Sequence, residues 1–300
     1  MPTLASDLVA ATKRHLLSGV REELDILAAN ITTTTAASFT STDAANGIQT
    51  GALLEIGLEL MYVRSVSGTT VNVLRGQGGT TATTHTAGAI VTVNPRFPTF
   101  NVLQELNNEI GSLSAPSNGL YKIVTLDVTW GSQNGYDLTS STEVIDILDV
   151  AWEDYGSTRN WVDVPPGQYR LHRNMNTGEF ASGNAIVFYG TVVTPGRTVR
   201  VRYKAPFTAL AALADDVQTV SGLPATANDI PPLGAAARLA GPGEVRRTFV
   251  DGQGDPRSDD DVPAGSRLNA ASWLLARRQT RIGEEASRLA RRFPASRARY

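Results

Sequence analysis

The residues with the most distinctive chemistry in this chain are the arginines near its carboxyl end. Residues 266–300 contain nine Arg, two Glu and no Lys, a net charge of +7. The other 265 residues hold 18 basic and 27 acidic side chains, a net charge of −9. A guanidinium group makes paired hydrogen bonds to carboxylate or phosphate and packs well at protein interfaces. The charge division predicts that this segment binds nucleic acid, an acidic protein surface or the acidic body of the chain itself.

Helical spacing separates these arginines from the apolar side chains around them. At about 100° per residue from Ser266 to Phe293, six apolar residues fall within about 60° of one another: Ala271, Leu275, Ile282, Ala286, Leu289 and Phe293. Five of the arginines lie on a face centred about 120° or more away. We therefore predict an amphipathic helix with an apolar packing seam and an arginine stripe, although a solvated helix face is the alternative. The residues predicted to bind a partner are Leu275, Ile282, Leu289 and Phe293 of the seam and Arg277, Arg281, Arg288, Arg291 and Arg292 of the stripe.

Residue patterns typical of catalytic and metal sites are missing from the sequence. The three histidines, His15, His85 and His172, lack the short spacing that metal ligands usually have. The glycine-rich loop from Arg75 to Thr81 resembles a phosphate cradle, but poor helix formers follow it and it has no Gly-Lys-Ser/Thr. We predict a hairpin loop whose glycines take positive φ. We also predict no catalytic residue, no metal and no cofactor, hence a protein that is not an enzyme.

Acidic and aromatic residues cluster near the middle of the chain, as they do in some glycan-binding sites. Asp149 and Glu153 lie close in sequence to Trp152 and Trp161. Glycoside hydrolysis needs two carboxylates at a set separation in a cleft. Aromatic side chains more often fill the core of a β-sandwich and leave the acids in solvent. A glycan-binding or glycan-cleaving role is therefore kept as the less favoured alternative.

Composition limits the class of protein. Apolar residues make up 41% of the 300 residues and charged residues 19%, which suits a folded chain with one or two modest domains. There is no cysteine, which excludes disulfides and thiolate metal sites. Charged residues interrupt the apolar stretch from Leu4 to Leu17, and no apolar run reaches the roughly 18 residues of a membrane span. We expect synthesis in the cytoplasm and no membrane partner.

Hydrophobic periodicity predicts an α+β chain. Helical spacing occurs near residues 3–17, 99–113, 230–240 and 266–293, with Gly241-Pro242 interrupting the third helix. Alternating patterns and turn residues predict two antiparallel β blocks, one small and barrel-like, the other sandwich-like. The predicted domains are a helical core of residues 1–21, 95–118 and 207–300, a small β module of residues 22–94, and a β-sandwich module of residues 119–206.

Several segments resemble a known family of structural proteins. The stretch from Leu60 to Thr81, followed by His85-Thr86-Ala87-Gly88-Ala89, resembles a β module of neck and tail proteins in tailed phages. The segment Val93 to Pro98 leading into the helix at Phe100 is similar to head-to-tail connector, or adaptor, proteins of actinobacteriophages. The likeness extends to Ala205-Pro206-Phe207 and to the segment from Pro231 to Ala236, so it covers most of the chain.

This resemblance implies a structural protein of the virion neck. An adaptor sits below the portal and contacts it through the C-terminal helix, here the helix near residues 266–293. Its implied partners are the portal, a stopper or other neck or tail protein, and further copies of itself in a ring that matches the portal's twelve-fold symmetry. Genomic DNA would pass through without specific binding. The alternatives are a stopper, a tail terminator or a baseplate component.

Overall fold

The fold is mixed α+β, as the sequence predicted, with helices and antiparallel sheets. The structure is a computed structural model, and it describes residues 2–17, 22–131, 133–138, 143–155, 159–189, 195–252 and 266–293. Those residues divide into two compact units. The first unit comprises residues 1–109, 209–220 and 224–280, and the second comprises residues 110–208, 221–223 and 281–300.

The predicted helices are present, and one of them is longer than expected. The helices are α1 (Ala5–Leu17), the short α2 (Ala44–Gly47), α3 (Thr99–Leu113), α4 (Ile230–Gly252) and α5 (Ser266–Arg292). The prediction that Gly241-Pro242 interrupts the helix near residues 230–240 is wrong, because α4 continues to Gly252. Proline removes one intrahelical hydrogen bond and strains the preceding turn. In α4 the alanines at 235–237 are buried, and their packing favours a helix through this region.

The first unit contains one six-stranded antiparallel sheet. Its strands are β1 (Glu23–Ile26), β2 (Ser38–Thr40), β3 (Leu53–Ile56), β4 (Glu59–Ser67), β5 (Thr70–Leu74) and β6 (Ile90–Val93), in the order β1-β6-β3-β4-β5-β2. The core of the sheet is aliphatic, with Leu54, Met61 and Val71 fully buried. The ladders of the described residues do not close a barrel. An isolated bridge between Leu27 and Ser41 links the chain beside the two outer strands.

The second unit contains a β-sandwich. Its strands are β7 (Lys122–Thr129), β8 (Gly135–Asp137), β9 (Asp146–Tyr155), β10 (Arg159–Asp163), β11 (Tyr169–Arg173), β12 (Asn184–Phe188) and β13 (Thr198–Ala205). They form a four-stranded sheet, β10-β9-β13-β7, and a three-stranded sheet, β11-β12-β8. Residues of both sheets share one core. Aromatic side chains fill much of this core, as expected: Phe188 and Tyr203 are buried, while Trp152 and Tyr169 pack partly buried against it.

The glycine-rich loop joins two strands, as predicted, but it is not the predicted hairpin, because β5 and β6 are not neighbours in the sheet. Gly76, Gly78 and Gly79 all have positive φ, and the chain continues into β6 and not into a helix. An L-residue rarely adopts that backbone conformation, which explains why glycine occupies these positions. The loop therefore has a structural role in joining β5 to β6.

A buried carboxylate ties this loop to the sheet. Glu59 has no exposed side-chain surface, and its two oxygens lie 2.5 Å from Nε and 2.6 Å from Nη2 of Arg75. The Nε2 atom of His85 lies 2.8 Å from Glu59, and the Thr83 amide donates to it over 3.0 Å. Burial raises the pKa of Glu59, but hydrogen bonds from Arg75, His85 and Thr83 and the Arg75 charge outweigh it and lower that pKa to about 2. The folded state therefore strongly favours the ionised carboxylate.

This network predicts a specific loss of stability in acid. Because the pKa of Glu59 falls from 4.5 to about 2 on folding, ionised Glu59 stabilises the fold above about pH 5, and that contribution disappears as the pH falls toward 2. Its size is about 3 kcal/mol. We expect the unfolding free energy of the parent, from urea titrations, to decrease by about that much more than that of Glu59→Gln over this range. The exposed Glu179→Gln is the control; a Glu59→Gln protein with the parent's pH profile contradicts the prediction.

Two buried tyrosines of the sandwich give a matched pair for a second test. The Tyr203 hydroxyl is buried without a hydrogen-bond partner among the described residues, whereas the Tyr136 hydroxyl accepts the Gly131 amide over 2.7 Å. A buried polar group without a partner destabilises a fold, and removal of a partner leaves the other group unpaired. We expect Tyr203→Phe to leave the unfolding free energy unchanged or higher and Tyr136→Phe to lower it by about 1 kcal/mol. The opposite order of the two variants in urea denaturation would refute this.

Candidate partner-binding face

The first half of α5 packs against α4 through small side chains. Ala271 and Leu274 of α5 are buried with Leu233, Ala236 and Ala237 of α4. Alanine lets two helices approach closely, but it contributes less apolar area than a larger side chain does. Apolar contact with α4 alone therefore stabilises the position of this half of α5 only modestly.

A buried ion pair supplies a second attachment. Glu109 of α3 is 1% exposed; its carboxylate accepts a hydrogen bond from Nε of Arg278 and lies 3.3 Å from Nη2 of Arg238. Gly234 makes room for it, because a Cβ atom there would overlap the carboxylate. A buried charge without its partner is strongly destabilising. Glu109 therefore holds Arg278 inside and fixes the rotation of the first half of α5 about its own axis.

The predicted apolar seam is only partly buried. Ile282 is 1% exposed, and Leu289 and Phe293 are half-buried. Leu275 is 48% exposed, so the structure does not place it in the contact between α4 and α5. The reason is the inward position of Arg278, which brings Leu274 onto the buried side and leaves Leu275 on the flank.

The predicted arginine stripe differs along its length in how its charges are compensated. Arg277, Arg288, Arg291 and Arg292 are exposed. Arg281 is partly buried and pairs with Glu284 and, over 3.4 Å, with Glu285. The last two arginines lie in the final turn of α5, where the helix dipole favours positive charge. The exposed group Arg288, Arg291 and Arg292 is called the basic end below.

Trp273 is a surface residue that the sequence prediction missed. It is 58% exposed, and the guanidinium carbon of Arg277 lies 5.7 Å from the centre of its ring. Tryptophan and arginine are the residues most enriched where protein interfaces bind most tightly. Helical spacing could have indicated that Trp273 is exposed, because it lies about 160° around the helix from Ala271 and therefore opposite the packing seam. Trp273 and Arg277 are called the helix patch below.

The acids of the sandwich are paired with basic residues of neighbouring segments. Asp149 lies 2.7 Å from Arg202, and Asp154 lies 2.8 Å from Arg197. The guanidinium carbon of Arg200 lies 3.9 Å from the centre of the Trp161 ring. Glycoside hydrolysis requires one carboxyl group that donates a proton and a second that acts as base or nucleophile. Asp149 and Asp154 are held as ion pairs, which does not suit a proton donor. Arg200 covers the Trp161 ring, so that ring is not open to stack on a sugar.

The histidines occupy separate places in the fold. His85 contacts Glu59, and His172 lies 3.1 Å from the Tyr189 hydroxyl. Burial, with the charges of Arg14 and Arg277, lowers the pKa of His15. In the described part of the chain, no three His, Asp or Glu side chains are grouped as metal ligands would be.

Comparisons with protein-family models, with curated proteins and with solved structures gave no match to this chain. Among the helices of the described residues, none combines the length and the apolar character needed to cross a bilayer.

The Glu109–Arg278 pair can be tested with two adjacent arginines. Arg278→Ala leaves a buried carboxylate with reduced compensation, and we expect the unfolding free energy to fall by about 3 kcal/mol. Arg277→Ala alters an exposed side chain, and we expect a change within about 0.5 kcal/mol. Urea denaturation followed by far-ultraviolet circular dichroism measures both. Equal effects of the two substitutions would show that Glu109 does not hold α5 through Arg278.

Proposed function

We propose that this protein is a structural component of a tailed-phage neck, forming a ring that joins the portal to the tail and lets DNA pass. The observation that carries the proposal is the basic end of α5, whose three arginines are exposed on a helix that is anchored elsewhere along its length. Exposed guanidinium groups on an anchored helix suit docking to an acidic protein surface. The resemblance of the β module and of the segment around Phe100 to connector proteins supports the location.

The occupant of the basic end is proposed to be protein and not DNA. Glu284 and Glu285 lie in the same part of α5 and share the charge of Arg281, and Glu285 lies 3.6 Å from Arg288. Carboxylates at this spacing repel phosphates, whereas they fit the mixed charges of a protein interface. A DNA channel must also let DNA slide, and a dense lining of arginine would retain it. The portal is therefore the proposed partner.

Two other functions would use residues that are exposed or clustered in this chain. A stopper, tail terminator or baseplate component would use the same basic end against a different neighbour. A glycan-binding or glycan-cleaving tail protein would use Trp161 and the acids of the sandwich. The ion pairs of Asp149 and Asp154 make the second alternative the weaker one.

The test replaces the three charges of the basic end. Arg288→Gln, Arg291→Gln and Arg292→Gln together keep good helix formers while removing the guanidinium groups. We expect a folded protein that no longer co-purifies with the portal, and lysates in which filled heads lack tails. The control replaces three exposed arginines outside α5, Arg64, Arg96 and Arg170, by glutamine.

Normal joining of heads and tails by the triple variant of the basic end would contradict the proposal, as would location of that end in the DNA channel. Point substitutions are preferable to deletion of residues 266–300. Deletion would also remove Arg278 and expose Glu109, which destabilises the fold for a separate reason.

A further inference from the structure

The end of α1 and the first half of α5 place three basic side chains around one exposed tryptophan. Arg14 and His15 lie in the last turn of α1, and Arg277 follows Trp273 by one helical turn in α5. All four residues belong to the first unit, and all four are exposed. The helix patch together with Arg14 and His15 is called the α1–α5 patch below.

The packing of α1 explains why these residues lie together. Leu16 of α1 packs against buried residues of α4 and α5, among them Ala271. Its neighbour His15 therefore lies at the side of α5. Burial, and then the charges of Arg14 and Arg277, lower the pKa of His15, which places its ring within electrostatic range of both guanidinium groups. Three basic side chains thus share one small surface.

The charges of the α1–α5 patch lack the acid partners that compensate another basic residue of α1. Lys13 lies about 160° from His15 around that helix and pairs with Glu22 and Glu55. In the part of the chain that the structure describes, none of the three basic residues of the patch forms an ion pair with a carboxylate. Positive charges grouped in this way attract an anion that contacts several of them. The patch therefore suits an anionic partner.

The exposed ring selects among anionic partners. Proteins that bind single-stranded nucleic acid without sequence preference combine basic side chains that contact the phosphates with aromatic rings on which the bases stack. The guanidinium carbon of Arg277 lies 5.7 Å from the centre of the Trp273 ring, and the ring is 58% exposed. At the basic end, by contrast, Glu284 and Glu285 accompany the arginines and repel phosphates. The bases of a duplex stay stacked on one another, so they cannot cover Trp273.

We propose that the α1–α5 patch binds single-stranded nucleic acid without sequence preference, with phosphates at Arg14, His15 and Arg277 and one base stacked on Trp273. The inference goes beyond the proposed function and does not rest on it, because it uses a different part of α5 from the basic end. It also distinguishes single strands, which the patch retains, from duplex DNA, which passes without stacking.

The first experiment measures fluorescence anisotropy of labelled oligodeoxythymidine and oligouridine with the purified full chain. We expect both strands to bind more tightly than a duplex of the same length or a polyglutamate peptide, and the tighter strand identifies DNA or RNA as the ligand. Three phosphate contacts on a single strand predict a slope of about −2 for log affinity against log salt. Equally tight binding of polyglutamate would show that the patch takes an acidic protein and would overturn the proposal.

Substitutions separate stacking from charge. Trp273→Leu keeps an apolar side chain without a ring, and we expect the affinity to fall about tenfold, whereas Trp273→Phe should bind within about threefold of the parent. Arg277→Gln should reduce the magnitude of the salt slope by about 0.7. Leu275→Ala, at an exposed residue of the same helix, and the triple variant of the basic end are the controls and should bind like the parent. Thermal melts followed by circular dichroism check that every variant is folded.

The histidine signals of the parent give a readout that does not depend on any variant's stability. A phosphate beside His15 favours the protonated ring, so we expect oligodeoxythymidine to raise the pKa of His15 in nuclear magnetic resonance titrations. The titrations of His85 and His172 should not change. His15→Gln assigns the signal.

Three results would overturn the proposal: equal affinities of Trp273→Leu and the parent, an unchanged titration of His15, or loss of binding in the triple variant of the basic end. Failure of this inference is distinguishable from failure of the proposed function. A chain that binds the portal but no single strand refutes the α1–α5 patch alone, whereas a chain that binds single strands but not the portal refutes the neck assignment alone.

Discussion

The carboxylate of Glu109 is almost completely buried, and Arg278 and Arg238 balance its charge. The contact surface between α4 and α5 is built largely from alanine, so it does not by itself define which side of α5 faces inward. Once Arg278 is held by Glu109, the neighbouring Arg277 must point about 100° away around the helix. The exposure of the helix patch thus depends on one buried charge, and so does any function assigned to that patch.

Much of the fold follows from local pattern, and the exceptions have physical causes. The bounds of α3 agree with the helix predicted near residues 99–113, because amphipathic spacing and flanking turns mark them. Strands β8 and β10 offer little pattern to detect, since β8 is short and β10 carries charged residues at both ends. At 100° per residue Arg278 lies about 20° from Ala271, so spacing places it beside the packing seam and outside the stripe. Its partner Glu109 was unpredictable, because it lies 169 residues away in the sequence.

In both β regions, polar side chains and their partners determine which face of a strand is buried and how a loop is attached. Glu59 ties the glycine-rich loop to its sheet, and Asp25 fixes the face of β1. In the sandwich, β13 alternates buried residues such as Val201 with outward Arg200 and Arg202, each paired with an aspartate. The resemblance to connector proteins is the source of the proposed neck location, and the exposed basic end of α5 is its physical support.

A cryo-electron microscopy reconstruction of the virion neck tests the central claim most directly. It locates the side chains of α5 relative to the portal, to neighbouring copies and to the DNA. We expect Arg288, Arg291 and Arg292 to contact acidic side chains of the portal. A neck that lacks this chain, or one in which those three arginines line the DNA channel, would contradict it.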